Sequence, residues 1–210
     1  MDNTMRLRAR SCLVLIVLVV VTAGVLYTVL RTVEFIVWGE RAPKREFGHE
    51  ALWMDASLFP AGWWDRGFTD RPPTKWVYSD SCHSFQELVS QLHFKQAKQL
   101  YLRWLASRFS SSERFPKEYQ PRPDLCQQLT FADECYAACA YSFYWWYGVN
   151  YEDADEKELH CGVVARYQEY AMFFFARADG PCLTFEEMVN VLRGIDQRFA
   201  AAMKLESVPE

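Results

Sequence analysis

Most familiar signatures of chemistry are missing from this chain. It has no Gly-rich phosphate loop, no Gly-x-Ser-x-Gly nucleophile turn and no His-Glu-x-x-His metal helix. The Cys-x-x-Cys-His of covalent haem attachment is also absent, so no cofactor is expected. Histidine is scarce, confined to His49, His83, His93 and His160. A basic patch and an acidic tail are both lacking, and the formal net charge is −4 over 210 residues, which excludes nucleic acid as an expected partner. No Asn-x-Ser/Thr acceptor occurs, although with three Asn in total that absence excludes little. Charge itself is missing from Cys12 to Leu30, a run of nineteen residues.

That run is the strongest feature present. At about 1.5 Å per residue it spans roughly 28 Å, close to the ~30 Å hydrocarbon core of a bilayer. Arg6, Arg8 and Arg10 precede it as they would in a signal peptide. Signal h-regions, however, hold about 7–15 residues. The nearest small-residue site, Thr22-Ala23-Gly24, is followed by an apolar stretch from Val25 to Leu30. An uncleaved transmembrane helix in contact with the lipid bilayer is therefore expected. Phe35, Ile36, Val37 and Trp38 resume the apolar pattern after Arg31 and Glu34. A single helix to about Trp38 follows, with Arg31 snorkelling, Trp38 at the interface and Glu34 a solvated or paired carboxylate.

Lys and Arg counts on the two sides of the run give no clear orientation. Cysteine does. One of the seven, Cys12, lies in the run; Cys82, Cys126, Cys135, Cys139, Cys161 and Cys182 follow it. An even set in a domain of this size favours disulfides and an oxidising compartment. The amino terminus is then expected in the reducing compartment and the large domain across the membrane. The mitochondrial inner membrane facing the intermembrane space is favoured, with a bacterial inner membrane facing the periplasm as the other setting.

The chain divides by pattern into a tail (1–11), the membrane helix with its interfacial extension (12–38), an irregular arm (39–80), a helical domain (81–206) and a short tail (207–210). The arm interleaves Pro43, Pro60, Pro72 and Pro73 with Trp53, Trp63, Trp64 and Trp76 and sustains no period. It either lies on another protein or packs back on its own domain. Four helices are expected beyond it. Ser84-Phe85-Gln86-Glu87 reads as a capping box opening a helix to about Phe109, and Thr184-Phe185-Glu186-Glu187 reads as another opening the last. Between them, Cys135 to Tyr151 carries no charge and is rich in aromatics, which suits a central or partner-facing helix. A third helix opens on Asp153, Asp155, Glu156 and Glu158, whose acids complement the helix dipole, and ends at Gly180-Pro181. The expected class is all-α: one N-terminal transmembrane helix, an irregular Trp/Pro-rich arm and a disulfide-stapled four-helix domain.

Cys82-x-Ser84-Phe85-x-Glu87-Leu88-Val89 recurs one hundred residues on as Cys182-x-Thr184-Phe185-x-Glu187-Met188-Val189. Shared capping chemistry accounts for the likeness at least as well as duplication does. Bundle geometry suggests the pairs Cys126–Cys182 and Cys82–Cys161, among fifteen possible pairings of six Cys. A zinc site built from Cys82-His83 and His160-Cys161 is disfavoured, because adjacent ligands diverge. The sequence points to no catalytic residue. A non-catalytic accessory subunit of a larger membrane assembly is expected, with a supernumerary subunit of a respiratory-chain or ATP-synthase complex as its commonest form. Its expected partners are other subunits of that complex, met through Trp53, Trp63, Trp64, Trp76, Trp145 and Trp146. The competing expectation is an anchored extracytoplasmic enzyme or ligand-binding module that uses His83 or His160 with a Cys.

Overall fold

The computed structural model describes residues 3–70, 73–80, 82–109, 119–143, 157–178 and 182–205. Two compact units make up the chain, Met1–Arg41 and Ala42–Glu210.

The first unit is a single helix, α1 (Asn3–Trp38), of which Leu15–Trp38 is long and apolar enough to cross a membrane. The threonines of Leu15–Trp38 would be a liability in an apolar solvent, yet each bonds within the helix. Thr22, Thr28 and Thr32 donate from Oγ1 to the carbonyls of Leu18, Gly24 and Thr28 at 2.8–2.9 Å. Glu34 is paired, with Arg31 at 3.0 Å and Arg41 at 2.7 Å. The helix stops where Gly39 adopts a positive φ of 76° and donates its N–H to the Phe35 carbonyl, a left-handed ending that glycine accommodates.

The second unit overturns the all-α expectation. It is built on a seven-stranded sheet in the order β1-β2-β3-β7-β6-β5-β4, antiparallel at every step. The strands are β1 (Trp64–Asp70), β2 (Pro73–Tyr78), β3 (His83–Ser90), β4 (Gln120–Pro121), β5 (Glu134–Phe143), β6 (Lys157–Tyr167) and β7 (Tyr170–Ala178). Three helices accompany them: α2 (Phe94–Arg108), the short α3 (Pro123–Cys126) and α4 (Phe185–Leu205). The first, second and third helices expected of a bundle are thus wholly or partly strands. Their apolar runs are continuous because the central strands are covered on both faces, and such runs carry no period of two.

On one face α4 inserts Met188, Leu192, Ile195 and Phe199, all fully buried, against Met172, Phe174, Val163 and Tyr167 of the central strands. Phe199 stacks on Tyr167 with ring centroids 3.9 Å apart. The opposite face receives α2, whose Tyr101 and Trp104 pack on Val164, Ala171 and Phe173. Each such side chain removes roughly 1.5–3 kcal/mol worth of apolar surface from water.

The arm is part of this unit. Leu52 and Met54 are fully buried in the main core with Trp53 and Phe59 beside them, and residues 64–78 supply β1 and β2. Gln86 of β3 fastens the arm from beneath, accepting from the Met54 N–H at 2.6 Å and donating to the Leu52 carbonyl at 3.3 Å. Arg198 of α4 clasps it from above through the Trp53 carbonyl and Asp55.

The disulfides are Cys82–Cys182, Cys126–Cys135 and Cys139–Cys161. Neither expected pair, Cys126–Cys182 or Cys82–Cys161, is formed, because both were placed on a bundle. In the sheet Cys139 and Cys161 face each other directly across β5 and β6. Cys82 and Cys182 instead join the start of β3 to the approach to α4. The expected helix start at Asp153, Asp155 and Glu156 and the expected helix end at Gly180-Pro181 fall outside the described residues.

Candidate recognition surface

α2 covers only part of its face of the sheet. Beyond its end the strands carry a plate of aromatic rings. Alternation along each strand sends every second side chain to this face: Trp76 and Tyr78 from β2, His83 and Phe85 from β3, Phe175 from β7 and His160 from β6. Ring centroids lie 4.7 Å apart for Trp76–Phe85, 5.2 Å for Phe85–Phe175, 5.7 Å for Trp76–His83 and 5.5 Å for His160–Phe175. Each of these rings is half-buried.

The same geometry assembles a row of basic groups. His160 is the register partner of Arg177, and Ser84 is that of Ala176, so His83 comes beside Arg177 from the other side. Arg177 is 5 % exposed. At the β2 margin Arg66 lies over the Tyr78 ring, 4.6 Å from its centroid, a cation–π contact. The opposite margin is kept low by Gly162: a Cβ there would come within 3.0 Å of the Phe109 ring and 3.1 Å of Phe173.

Where α2 meets the plate, Glu87 pairs with Arg108, and the Arg108 guanidinium also lies 4.8 Å from the centroid of the Phe173 ring. Burial pushes the Glu87 carboxyl above the usual range, and the opposing pull of Arg108 does not overcome it. The deeper Tyr167 phenol, against Phe199 and Asp196, is pushed well above its ordinary value, chiefly by burial and further by the Asp196 carboxylate.

The sequence-derived candidates are scattered by the fold. Trp53 is a core residue, 8 % exposed, and Trp63 is half-buried on Phe59 with centroids 4.8 Å apart. Trp64, 43 % exposed, stands on the edge strand β1 opposite Tyr78, whereas Phe68 of the same strand packs on Trp53 with centroids 5.1 Å apart. Trp76 belongs to the plate. Trp145 and Trp146 lie outside the described residues. His83 and His160, singled out as possible partners of a Cys, do come together, one on each side of Phe175. The thiol they would need does not: every Cys of the second unit is in a disulfide. For the same reason Cys82 and Cys161 are not zinc ligands, and no group of three or more His, Cys, Asp or Glu among the described residues is placed to hold a metal.

Sequence reasoning missed Tyr78, Phe85, Phe175 and Arg177 as members of one surface. The signal was the alternation Phe173, Phe175, Arg177 within β7, hidden by Met172, Phe174 and Ala176 facing the other core. An aromatic floor of half-buried rings with an exposed guanidinium, Arg66, at its margin has the chemistry of recognition, since such surfaces offer apolar area for contact. No protein-family model matches the chain, and no curated protein matches its sequence.

Proposed function

We propose that this protein is a bilayer-anchored, non-catalytic accessory subunit that recognises a neighbouring protein through the aromatic plate. The observation that carries this reading is the plate itself. Trp76, His83, Phe85, His160 and Phe175 form one connected, half-buried surface that adjoins the α2 cluster, with exposed Arg66 beside it. Aromatic residues and Arg are the types that concentrate binding energy at protein interfaces. In this reading α1 crosses the membrane and the disulfide-bonded unit works in an oxidising compartment, with the amino terminus on the reducing side. Three disulfides support the compartment, since such bonds persist where thiols are not kept reduced.

The proposal is made at the level of a membrane assembly rather than of a respiratory-chain or ATP-synthase complex in the mitochondrial inner membrane, with a contacting surface that is chiefly apolar. Native separation after mild-detergent extraction tests it. The wild-type protein is expected to co-migrate with a partner, and Trp76→Ala combined with His83→Ala to release it as a 24.6 kDa species. Wild-type protein that migrates alone at that mass removes the proposal.

A further inference from the structure

We infer that residues 42–50 form a releasable strap, fastened to the folded unit through Arg45 and Glu169, whose opening lengthens the leash between α1 and the sheet. The use of that leash rests on the reading of α1 as an anchor; the fastening itself does not. The two ends of the fastening are built differently. Glu169 sits in the two-residue turn joining β6 and β7, with its side chain 2 % exposed. Its backbone carbonyl accepts from the Gln91 N–H at 2.9 Å, which ties the turn to the end of β3. The preceding Gln168 holds a positive φ of 53°, fixed by its N–H to the Asp133 carboxylate at 2.5 Å and its carbonyl to Arg166 at 3.0 Å. This side is a preformed receptor.

The Arg45 side lies shallower. Its guanidinium reaches both Glu169 carboxylate oxygens, at 2.5 and 2.9 Å, and the Gln168 side-chain oxygen at 2.5 Å. Ala42 donates to the Leu92 carbonyl at 2.9 Å, half-buried Phe47 packs at the edge of the main core 6.3 Å from the Tyr170 ring, and His49 meets the same ring at 5.8 Å. Yet no residue from 42 to 50 is buried, whereas Leu52 and Met54 just beyond are fully so. A segment with few buried apolar contacts opens at low cost while the core stays folded. Breaking one partner of a desolvated ion pair favours that opening strongly. Release moves the first fixed point of the unit from Ala42 to Ala51, nine residues on. At about 3.3–3.6 Å per residue that adds roughly 30 Å of contour length.

Lysine-specific proteolysis of the full-length protein in detergent reads the opening at Lys44, the only lysine of the strap. Cleavage there tracks the open population when reclosing is fast. Glu169→Gln and Arg45→Met are each expected to raise the Lys44 rate about tenfold or more, with cleavage at Lys75 and Lys98 unchanged. Phe47→Ala is expected to raise it less than about threefold. A parallel rise at Lys98 in both fastening variants means that the whole unit loosens, and overturns the inference. So does a wild-type Lys44 rate equal to that of the free 42–50 peptide, or a Phe47→Ala effect as large as that of Glu169→Gln. None of these readouts involves a partner, so failure of the proposed function leaves them intact.

Discussion

Residues 82–89 and 182–189 read almost alike, and Cys82 is bonded to Cys182. The first segment opens a central strand, β3, between β2 and β7; the second opens the longest helix of the second unit, α4. In the helix the capping chemistry is realised. The Thr184 hydroxyl accepts from the Glu187 N–H at 3.2 Å, and the Glu187 carboxylate accepts from the Thr184 N–H at 2.8 Å. In the strand the equivalent Ser84 is fully buried, and its backbone is committed to Val77 and Ala176 on either side. Local capping is worth about 1 kcal/mol, too little to outweigh a ladder on both edges and burial on both faces. The difference teaches that a cap motif marks a helix only when the apolar stripe behind it continues. After Val189 it does, through Leu192, Ile195 and Phe199. After Val89 the next apolar position, Leu92, is 67 % exposed.

Cutting the link between the two segments gives the largest effect. Joint replacement of Cys82 and Cys182 by Ser opens a loop of 100 residues and is expected to cost about 4–5 kcal/mol by the chain-entropy model, read by urea unfolding. Next comes position 86 against position 186. Gln86→Leu strands the Met54 N–H and the Leu52 carbonyl and should cost about 2–4 kcal/mol, whereas exposed Glu186→Ala should stay within about 0.5 kcal/mol. Equal losses at the two positions would mean that the arm is not held by Gln86.

The caps themselves differ more finely. Thr184→Ala is expected to cost about 1 kcal/mol. Ser84→Ala removes a buried hydroxyl that has no hydrogen-bond partner and should be neutral or slightly stabilising.

Acidity probes Glu87 itself, which is buried beside Arg108. Burial raises the folded-state pKa of Glu87 above the usual 4.5. The folded protein therefore binds this proton more tightly than the unfolded chain does. The resulting stability is fully present below the unfolded value and is lost as pH rises through the raised one. Unfolding free energies across an acid-to-neutral series should show a shallower fall in Glu87→Gln than in wild type.

Much of the molecule was legible because its signals were long. Nineteen uncharged residues specified a helix wherever they lay, and the pattern carried it to Trp38, where Gly39 ends it. The Tyr170–Ala178 run was illegible for the opposite reason. Nine residues covered on both sides fit a buried strand or a buried helix turn equally well. The plate was half visible: Trp76, His83 and His160 were singled out, but nothing linear places Phe175 and Arg177 between them.

By itself the sequence determined α1 and its end, the cap and stripe of α4, and a set of cysteines suited to pairing. These depend on neighbours within a few turns, where 3.6-residue geometry and covalent chemistry suffice. Only the tertiary structure decided that four central segments are strands, which cysteine meets which, and that rings from β2, β3, β6 and β7 share one face. Those outcomes depend on which segment lies beside which, and a strand has no partner until the rest of the sheet supplies one.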